Sequence, residues 1–229
     1  LTGEGGATYT LTDTADVERD SATQFTLSLS ATDKAAVNQM INKNGLSSTD
    51  VTTYNLAAAD DWDTNVTAGD TSDATGNGMT VSNVATPAIS SSTYNASTGV
   101  IVVTGTGFLK ANGVANDIDA SLLTFTGEGG TTYTLTDSSD IEITSGTAFS
   151  ITLSGTDKAA INQILNKIGS SSTGGTSYNL AAAEDWAAGA DAAVNVADLT
   201  GNGMTVSNVA VPTISSTTYS SFTNSLVVT

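Results

Sequence analysis

Acidic side chains cluster in loop-like stretches rich in Asn, Gly and Thr, and these residue types suit calcium binding. Calcium takes roughly six to eight oxygen ligands from carboxylates, amides and backbone carbonyls. No stretch matches an EF-hand loop or a Gly-Gly-x-Gly-x-Asp nonapeptide. The alternative is that these acids are solvated turn formers and helix caps. The candidate calcium ligands are Asp60, Asp61, Asp63, Asp70, Asp73, Asp117, Asp119, Glu184, Asp185, Asp191 and Asp198.

Calcium would also relieve charge repulsion within these loops. The three carboxylates between Asp60 and Asp63 repel one another unless they are hydrated or neutralised. Extracellular modules bind calcium at about 10⁻⁴–10⁻³ M, so such sites would be empty inside a cell and filled outside. We therefore predict a calcium cofactor that stiffens the chain after export.

Catalysis is the class of function that the sequence disfavours most. There is no His and no Cys, which removes Ser–His, Cys–His and His-metal sites. The adjacent pair Asp60–Asp61 could do acid/base work, but the same acidic pair recurs in each copy of an internal repeat, which favours a structural role. The motifs at Gly3–Gly6 and Gly127–Gly130 do not match a phosphate loop and indicate tight turns. We predict that the protein is not an enzyme.

Charge excludes two classes of partner. The 229 residues include 23 acidic and 6 basic side chains, a net charge of −17. Nucleic acid and anionic membrane surfaces need clustered Lys and Arg, so neither is an expected partner. No apolar run of about 18 residues is present, so we expect no direct membrane insertion. Hydrophobic residues make up 39% of the chain, which permits a packed core without disulfides.

Two tryptophans, Trp62 and Trp186, each follow an acidic pair. We expect both to pack in a core, the commoner setting for Trp beside a loop. The alternative is an exposed Trp that stacks on a glycan. Two segments, Asn65–Thr67 and Asn95–Ser97, also match the glycosylation acceptor pattern, which is frequent by chance in a chain this rich in Asn, Ser and Thr.

The chain contains an internal repeat whose copies are offset by 124 or 125 residues, as the pairs Tyr54–Tyr178 and Gly76–Gly201 show. A match of this length marks an array of similar units. The matched segments are Thr2–Thr12 with Thr126–Thr136, Thr32–Gly45 with Thr156–Gly169, Tyr54–Trp62 with Tyr178–Trp186, Gly76–Val84 with Gly201–Val209 and, more loosely, Pro87–Thr104 with Pro212–Thr229.

Short alternating apolar runs predict that each unit has about seven strands. One helix is expected from Thr156, as its N-cap, to Gly169, with an apolar i, i+3, i+4 stripe. This combination predicts a mainly β fold of tandem Ig-like β-sandwich domains, each with one short inserted α-helix. The predicted strands of the second copy are Val100–Val103, Leu122–Phe125, Tyr133–Leu135, Ile141–Ile143, Phe149–Leu153, Tyr178–Leu180 and Met204–Val209.

The opening strands resemble those of Ig-like repeats in very large bacterial cell-surface and adhesin-type proteins. The resemblance lies in three segments, Pro212–Ser215, Leu226–Thr229 and Val100–Phe108. The rest of such a unit is matched by the helix segment and by the motifs YNLAAA(D/E)DW and GNGMTVSNV. It implies an exported protein at the bacterial cell surface or in an extracellular matrix, often dependent on calcium. The function expected is a structural repeat of a surface array or filament, linked head to tail to neighbouring copies or repeats. The alternative is an adhesin that binds a glycan or another surface ligand.

The unit boundaries are expected just before two prolines, with Val84–Pro87 and Val209–Pro212 as short linkers. Residues 1–86 are then the C-terminal part of one Ig-like repeat, and residues 87–211 are a complete repeat. Residues 212–229 are the N-terminal strands of the next repeat, or a donor segment that completes a neighbouring subunit. Both alternatives lead to a linear assembly.

Overall fold

A computed structural model describes residues 1–66 and 69–229, and the chain is mainly β with two α-helices. Neither helix in the described part of the chain has the length and apolarity needed to cross a membrane. In chain order, the elements are β1 (Arg19–Ser21), β2 (Gln24–Phe25), α1 (Ala31–Met40), β3 (Ala88–Asn95), β4 (Val100–Thr106), β5 (Leu123–Thr126), β6 (Thr132–Thr134), β7 (Ala148–Thr152), α2 (Gly155–Ile164), β8 (Asn179–Ala182), β9 (Met204–Ser207), β10 (Thr217–Ser220) and β11 (Ser225–Val228).

Residues 87–211, which we call the complete copy, form two sheets. Their strand orders are β7-β4-β3-β9 and β6-β5-β8. The first strand, β3, pairs in parallel with the last strand, β9, while the other pairs are antiparallel. In β4, Ile101 and Val103 are buried and Val102 is exposed, as an alternating strand with one buried face requires.

One hydrophobic cluster joins the two sheets and α2 of the complete copy. The four-stranded sheet contributes Tyr94 and Ile151, the three-stranded sheet contributes Phe125 and Leu180, and α2 contributes Ile161. Each side chain comes from the apolar face of its element, so the hydrophobic pattern of the sequence accounts for the core.

Both helices begin two residues earlier than the sequence indicated, with Ser30 and Ser154 as their N-caps. The N-cap of α2 is Ser154, whose hydroxyl accepts from the Asp157 amide at 3.0 Å, so the predicted Thr156 cap was wrong. The helix ends at Ile164, well before Gly169. Gly169 has a positive φ of 114°, as predicted for its conformation, but it bridges Val206 instead of closing the helix.

The predicted strand Ile141–Ile143 is reduced to a single bridge between Ile141 and Ile118. The amide of Ile143 donates to a carboxylate oxygen of Asp117 at 2.7 Å instead of to a neighbouring strand. The buried carboxylate of Asp117 therefore takes the place of the strand partner that the Ile143 amide would otherwise have.

Residues 1–86, which we call the first copy, contain less regular structure. The hairpin β1–β2 and helix α1 are its α-helical and strand elements among the described residues. Its hydrophobic cluster is built on Val37, Met40, Ile41 and Tyr54. The counterparts of β3 and β4 are not in this stretch, so its remaining apolar strand segments have fewer partners.

The tail hairpin, which we define as β10 and β11 (217–228), pairs in the register Thr217–Val228, Tyr219–Leu226. All residues of both strands are exposed. The hairpin therefore forms a separate two-stranded element at the end of the described structure.

Candidate functional site: the joint between copies

A glycine-rich turn positions the first residue of the joint. Glu4 begins a short 3-10 turn, Glu4–Gly6, directly after Gly3. A Cβ on Gly3 would lie 2.4 Å from the carbonyl oxygen of Met40, so only glycine lets this turn pack against the end of α1. The Glu4 side chain is thereby buried at the end of the first copy.

Glu4 and Asn42 form the polar centre of this end surface. The Asn42 side-chain amide donates to Glu4 Oε2 at 3.0 Å, and the Thr49 hydroxyl donates to the same oxygen at 3.0 Å. The Asn42 carbonyl oxygen accepts from the Thr49 amide at 3.1 Å. Buried polar groups with this many partners hold a defined orientation.

The complete copy supplies the other side of the joint through the loop that follows β4. Asn42 Nδ2 donates to the Lys110 carbonyl at 3.1 Å, and the Asn112 amide donates to Glu4 Oε1 at 3.3 Å. The Lys110 amide donates to the Gln39 carbonyl at 3.3 Å. A Cβ on Gly5 would lie 2.8 Å from the Asn112 side chain, so this contact also requires a small residue.

A longer-range ion pair adds to the joint. Lys43 Nζ lies 3.8 Å from Asp191 Oδ1, and both side chains are partly exposed. A void of about 30 Å³ lies between the two copies beside this ion pair, and the buried side chain of Leu109 is one of its lining residues. Because the pair is partly hydrated, it contributes at most about 1 kcal/mol.

The complete copy carries the same end surface. Asn166 Nδ2 donates to Glu128 Oε2 at 2.9 Å, and the Gly174 amide donates to the same oxygen at 2.9 Å. The Gly174 amide lowers the pKa of Glu128, with a smaller contribution from Asn166. Glu128 and Asn166 are half-buried here, while Glu4 and Asn42 are only 5% and 1% exposed. The more deeply buried pair, Glu4 with Asn42, is the pair that contacts the complete copy.

A buried aspartate fastens each helix to the loop that precedes it. Asp157 and Asp33 both have 0% exposure, and each carboxylate accepts six hydrogen bonds. Burial raises the pKa of each, but hydrogen bonds, led by those from Ser138 and Thr14, outweigh it. The pKa of both aspartates therefore lies well below its usual value. The donors to Asp157 are Tyr133, Thr136, Asp137 and Ser138, and those to Asp33 are Tyr9, Thr12, Asp13 and Thr14.

The candidate calcium ligands Asp60 and Asp61 lie in one exposed turn. Asp60 Oδ1 accepts from the Thr71 amide at 2.8 Å and the Asp61 amide at 3.0 Å. The Thr71 amide is the main cause that lowers the pKa of Asp60. Asp61 has a positive φ of 60°, a conformation that Asp tolerates in tight turns.

The other acids of this stretch are held separately. Asp63 accepts from the Asn65 amide at 3.0 Å and lies 3.9 Å from Arg19. Asp70 accepts from the hydroxyl of Ser72, two residues further on. The Asp73 backbone forms a bridge with Ala58. The glycosylation pattern at Asn65 ends at Thr67, which lies outside the described residues.

The counterparts in the complete copy are also engaged within the chain. Glu184 accepts from the amides of Val196 and Ala197, at 2.9 and 3.2 Å. Asp185 repeats the turn conformation of Asp61, with a φ of 63°. Asp198 accepts from the Ile89 amide at 2.8 Å, which fixes the start of β3.

The remaining candidate calcium ligands, Asp117, Asp119 and Asp191, lie in three different parts of the structure. Asp117 is fully buried and accepts from the amides of Ala111 and Ile143. Asp119 caps the 3-10 turn Ala120–Leu122, and Asp191 belongs to the joint. Among the described residues, no three acidic side chains converge into a group that could hold a metal ion. The calcium prediction is therefore left without a defined set of ligands.

The two tryptophans differ. Trp186 has 0% exposure and packs edge-on against Phe108, with ring centroids 5.9 Å apart. Trp62 is 49% exposed and lies 5.8 Å from the ring of Phe25. The expected core position is thus found for Trp186 but was wrong for Trp62, because residues 1–86 include no counterpart of Phe108.

Sequence reasoning missed the residues of the joint. Glu4 and Glu128 stood in the repeated Gly-Glu-Gly-Gly motif, and Asn42 and Asn166 lay within the repeated segments Thr32–Gly45 and Thr156–Gly169. A polar residue kept at the same place in both copies was the available signal.

The chain matches no protein-family model, no curated protein and no solved structure.

Proposed function

We propose that this chain is a structural element of a bacterial surface array or filament, built from tandem Ig-like β-sandwich domains fixed end to end. The supporting observation is the joint. Its end surface, Glu4 with Asn42, is buried against the next copy, and the complete copy carries the same surface as Glu128 with Asn166. A surface that is repeated and fits a neighbouring unit allows the contact to recur along an array.

The contacts of the joint favour a fixed angle over a loose tether. Three hydrogen bonds cross it between Gln39, Glu4 or Asn42 and the Lys110–Asn112 loop. Two of them involve side chains that are nearly fully buried, and buried polar contacts are orientation-dependent. A rigid joint gives each added repeat a defined increment of length, which is the property a stalk or filament needs.

Small-angle X-ray scattering of Asn42→Ala and Asn166→Ala tests this proposal. Both substitutions remove an amide bonded to a glutamate of its own copy, but only Asn42 also donates to Lys110 across the joint. We expect Asn42→Ala to broaden the distribution of interatomic distances, while Asn166→Ala leaves it unchanged. Equal profiles for the wild-type chain and Asn42→Ala would contradict a joint that sets the angle.

Calcium binding and extracellular location belong to this proposal as predictions. Their support is the acidic composition and the resemblance to surface repeats. Thermal unfolding in calcium and in chelator measures the effect directly, with magnesium as the control for general charge screening. We expect a higher unfolding midpoint in calcium, and an unchanged midpoint would remove calcium from the function.

Glycan binding is the second candidate, and the exposed indole of Trp62 is the observation that favours it. Its ring lies beside Phe25 and close in sequence to three acids, a composition suited to stacking on a sugar. Tryptophan fluorescence titrated with neutral oligosaccharides, on the wild-type chain and on Trp62→Ala, tests it. A saturable change lost only in Trp62→Ala would favour the adhesin function over the purely structural one.

The non-enzymatic role stays a prediction within this proposal, and one cavity of about 390 Å³ beside β7 bears on it. Among its lining residues, Glu142 is the only titratable side chain. Acid/base or nucleophilic catalysis needs a paired group within hydrogen-bond reach. The other lining residues are Ile141, Thr144, Ser145, Ala148, Phe149 and Ser150.

A further inference from the structure

The loop that follows β4 carries an Asn-Gly pair, Asn112-Gly113, at the joint. In such a pair the glycine nitrogen reaches the asparagine side chain with little hindrance, because glycine has no Cβ to block the approach. Asn112 and Gly113 are both exposed, and the next residue, Val114, is 89% exposed. Water therefore has access to the atoms of this pair.

The two groups that would react with each other are not held in place. Among the described residues, no hydrogen bond involves the Asn112 side chain or the Gly113 amide. The bonds of Asn112 come from its backbone, whose amide donates to Glu4 Oε1 at 3.3 Å and whose carbonyl accepts from Asn116 Nδ2 at 2.8 Å. The side-chain carbon of Asn112 and the nitrogen of Gly113 are thus free to approach each other.

The chain has three other Asn-Gly pairs, and in each of them a reacting group is held by hydrogen bonds. Asn77 Nδ2 donates to two backbone carbonyls, both at 3.0 Å. Asn202, which is only 2% exposed, donates to the carbonyl and to the carboxylate of Asp198, at 3.0 and 2.9 Å. The Gly45 amide, beside Asn44, already donates to a backbone carbonyl at 2.9 Å. The pair at the joint is therefore the one whose reacting groups are both exposed and unbonded in the described structure.

The shape of the loop keeps glycine at position 113. Gly113 has a positive φ of 132°, a conformation that other residues adopt only with strain. A Cβ at this position would also lie 2.5 Å from Asn116 Nδ2. A larger residue that hindered the approach to Asn112 would therefore disturb the loop that forms the joint.

We propose that Asn112 deamidates spontaneously in the folded chain and that the product loosens the joint. The Gly113 nitrogen gives up its proton and bonds to Cγ of Asn112, and the bond from Cγ to the side-chain nitrogen breaks. That nitrogen leaves as ammonia, and a succinimide ring remains. Water then opens the ring at either carbonyl and gives aspartate or isoaspartate. The sum is one water consumed and one ammonia released, with no oxidation or reduction.

The product weakens the joint in two ways. Both products carry a new carboxylate next to Gly5, where a Cβ would lie 2.8 Å from Asn112 Cγ, and close to the buried carboxylate of Glu4. Like charges this close repel each other, most strongly away from water. Isoaspartate also adds a carbon to the main chain and changes the path of the loop. The effect on the joint rests on the array function proposed above, whereas the reaction at Asn112 does not.

Peptide mapping measures the reaction at each pair separately. Trypsin cleaves after Lys and Arg, so Asn112-Gly113 falls in peptide 111–158 and the other pairs fall in peptides 44–110 and 168–229. After incubation of the folded chain at neutral pH, mass spectrometry should find the amide-to-acid exchange at least about tenfold faster in 111–158, since the held pairs must first open locally. In urea the advantage of 111–158 should disappear. Equal rates in the folded chain would overturn the proposal.

Small-angle X-ray scattering of fresh and aged chains measures the effect on the joint. We expect ageing to broaden the distribution of interatomic distances of the wild-type chain. Asn112→Gln should give the same profile before and after ageing, because its side-chain carbonyl carbon is one atom further along the chain and closes a ring far more slowly. Fresh Asn112→Asp should reproduce the effect of the added charge at once. Conversion of Asn112 with unchanged scattering would overturn the proposed loosening.

The variant Asn42→Ala separates this proposal from the array function. A broader distribution for fresh Asn42→Ala, but not for an aged wild-type chain, would leave the rigid joint standing and contradict its loosening by deamidation. Selective conversion of peptide 111–158, in a chain whose fresh profile Asn42→Ala leaves unchanged, would support Asn112 as the reactive site and contradict the rigid joint. The two failures are therefore distinguishable.

Discussion

The two copies of the repeat share much of their sequence, but equivalent apolar side chains are less buried in the first copy than in the complete copy. The Asp33 and Asp157 networks contain equivalent hydrogen bonds. In contrast, Trp62 is 49% exposed and Trp186 is 0% exposed. The aspartate network forms in both copies because its donors and its acceptor lie 19 to 24 residues apart, inside the part of the repeat that both copies contain. Burial of the tryptophan depends on residues such as Phe108 that come from a distant segment. The comparison thus separates features that a segment builds alone from those that need a partner.

The largest expected effect that tests this comparison is on the tryptophans. Trp186→Ala should lower the free energy of unfolding by about 3–5 kcal/mol, because it empties a packed core. Trp62→Ala should cost about 1 kcal/mol or less, because half of its side chain is already in water. Chemical denaturation followed by circular dichroism measures both. Equal losses would show that Trp62 is covered in solution.

The next effect concerns the aspartate network that the copies share. Asp157→Asn should destabilise the chain by about 3 kcal/mol, since it leaves several backbone and hydroxyl donors without their charged acceptor. Asp33→Asn should perturb the first copy in the same way. The matched control is Asp137→Asn, because Asp137 contributes only its backbone amide to this network. A control as damaging as Asp157→Asn would remove the special role of the buried acid.

The same network predicts the response to acid. The pKa of Asp157 is depressed in the folded state, so its contribution to stability is present above the unfolded pKa of about 3.9. That contribution falls as the pH drops below about 4 and is lost once the pH falls through the folded pKa. Unfolding midpoints between pH 7 and pH 2 should decline less steeply in Asp157→Asn than in the wild type. Parallel curves would contradict this linkage.

The joint predicts a smaller difference between equivalent glutamates. Glu4→Ala should cost about 1–2 kcal/mol more than Glu128→Ala, because Glu4 also accepts from Asn112 across the joint and is buried there. Glu128→Ala is the control for bonds inside one copy. Urea denaturation of the two variants measures the difference, and equal losses would indicate that the joint opens in solution.

The smallest expected effect is on the ion pair. Lys43→Met should cost about 0.5 kcal/mol, and Lys167→Met, at the equivalent exposed position, should cost less. The difference should vanish in about 1 M salt, where charges are screened beyond about 3 Å. A difference that survives high salt would point to packing of the Lys43 stem instead of its charge.

Several levels of this structure were predictable from the sequence because they depend on short-range patterns. The repeat, the mainly β character and one helix per copy follow from matching segments and alternating apolar residues. The complete copy has seven strands and one helix, but β3 was not among the predicted strands and the predicted strand Ile141–Ile143 is a single bridge. The glycine motif was identified as a turn, since Gly5 and Gly129 both have a φ of 63°. Such features are determined by residues close together in the chain.

Only the tertiary structure decided which polar groups work together. Asp60 and Asp198 were candidate calcium ligands, a prediction that stays untested, and the structure shows that each accepts a hydrogen bond from a backbone amide. The partners that bury Glu4 and Asn42 lie 68 residues or more along the chain, as in the bonds to Lys110 and Asn112. A sequence pattern indicates which residues are polar or apolar, whereas burial and pairing depend on which distant segment the fold brings against them.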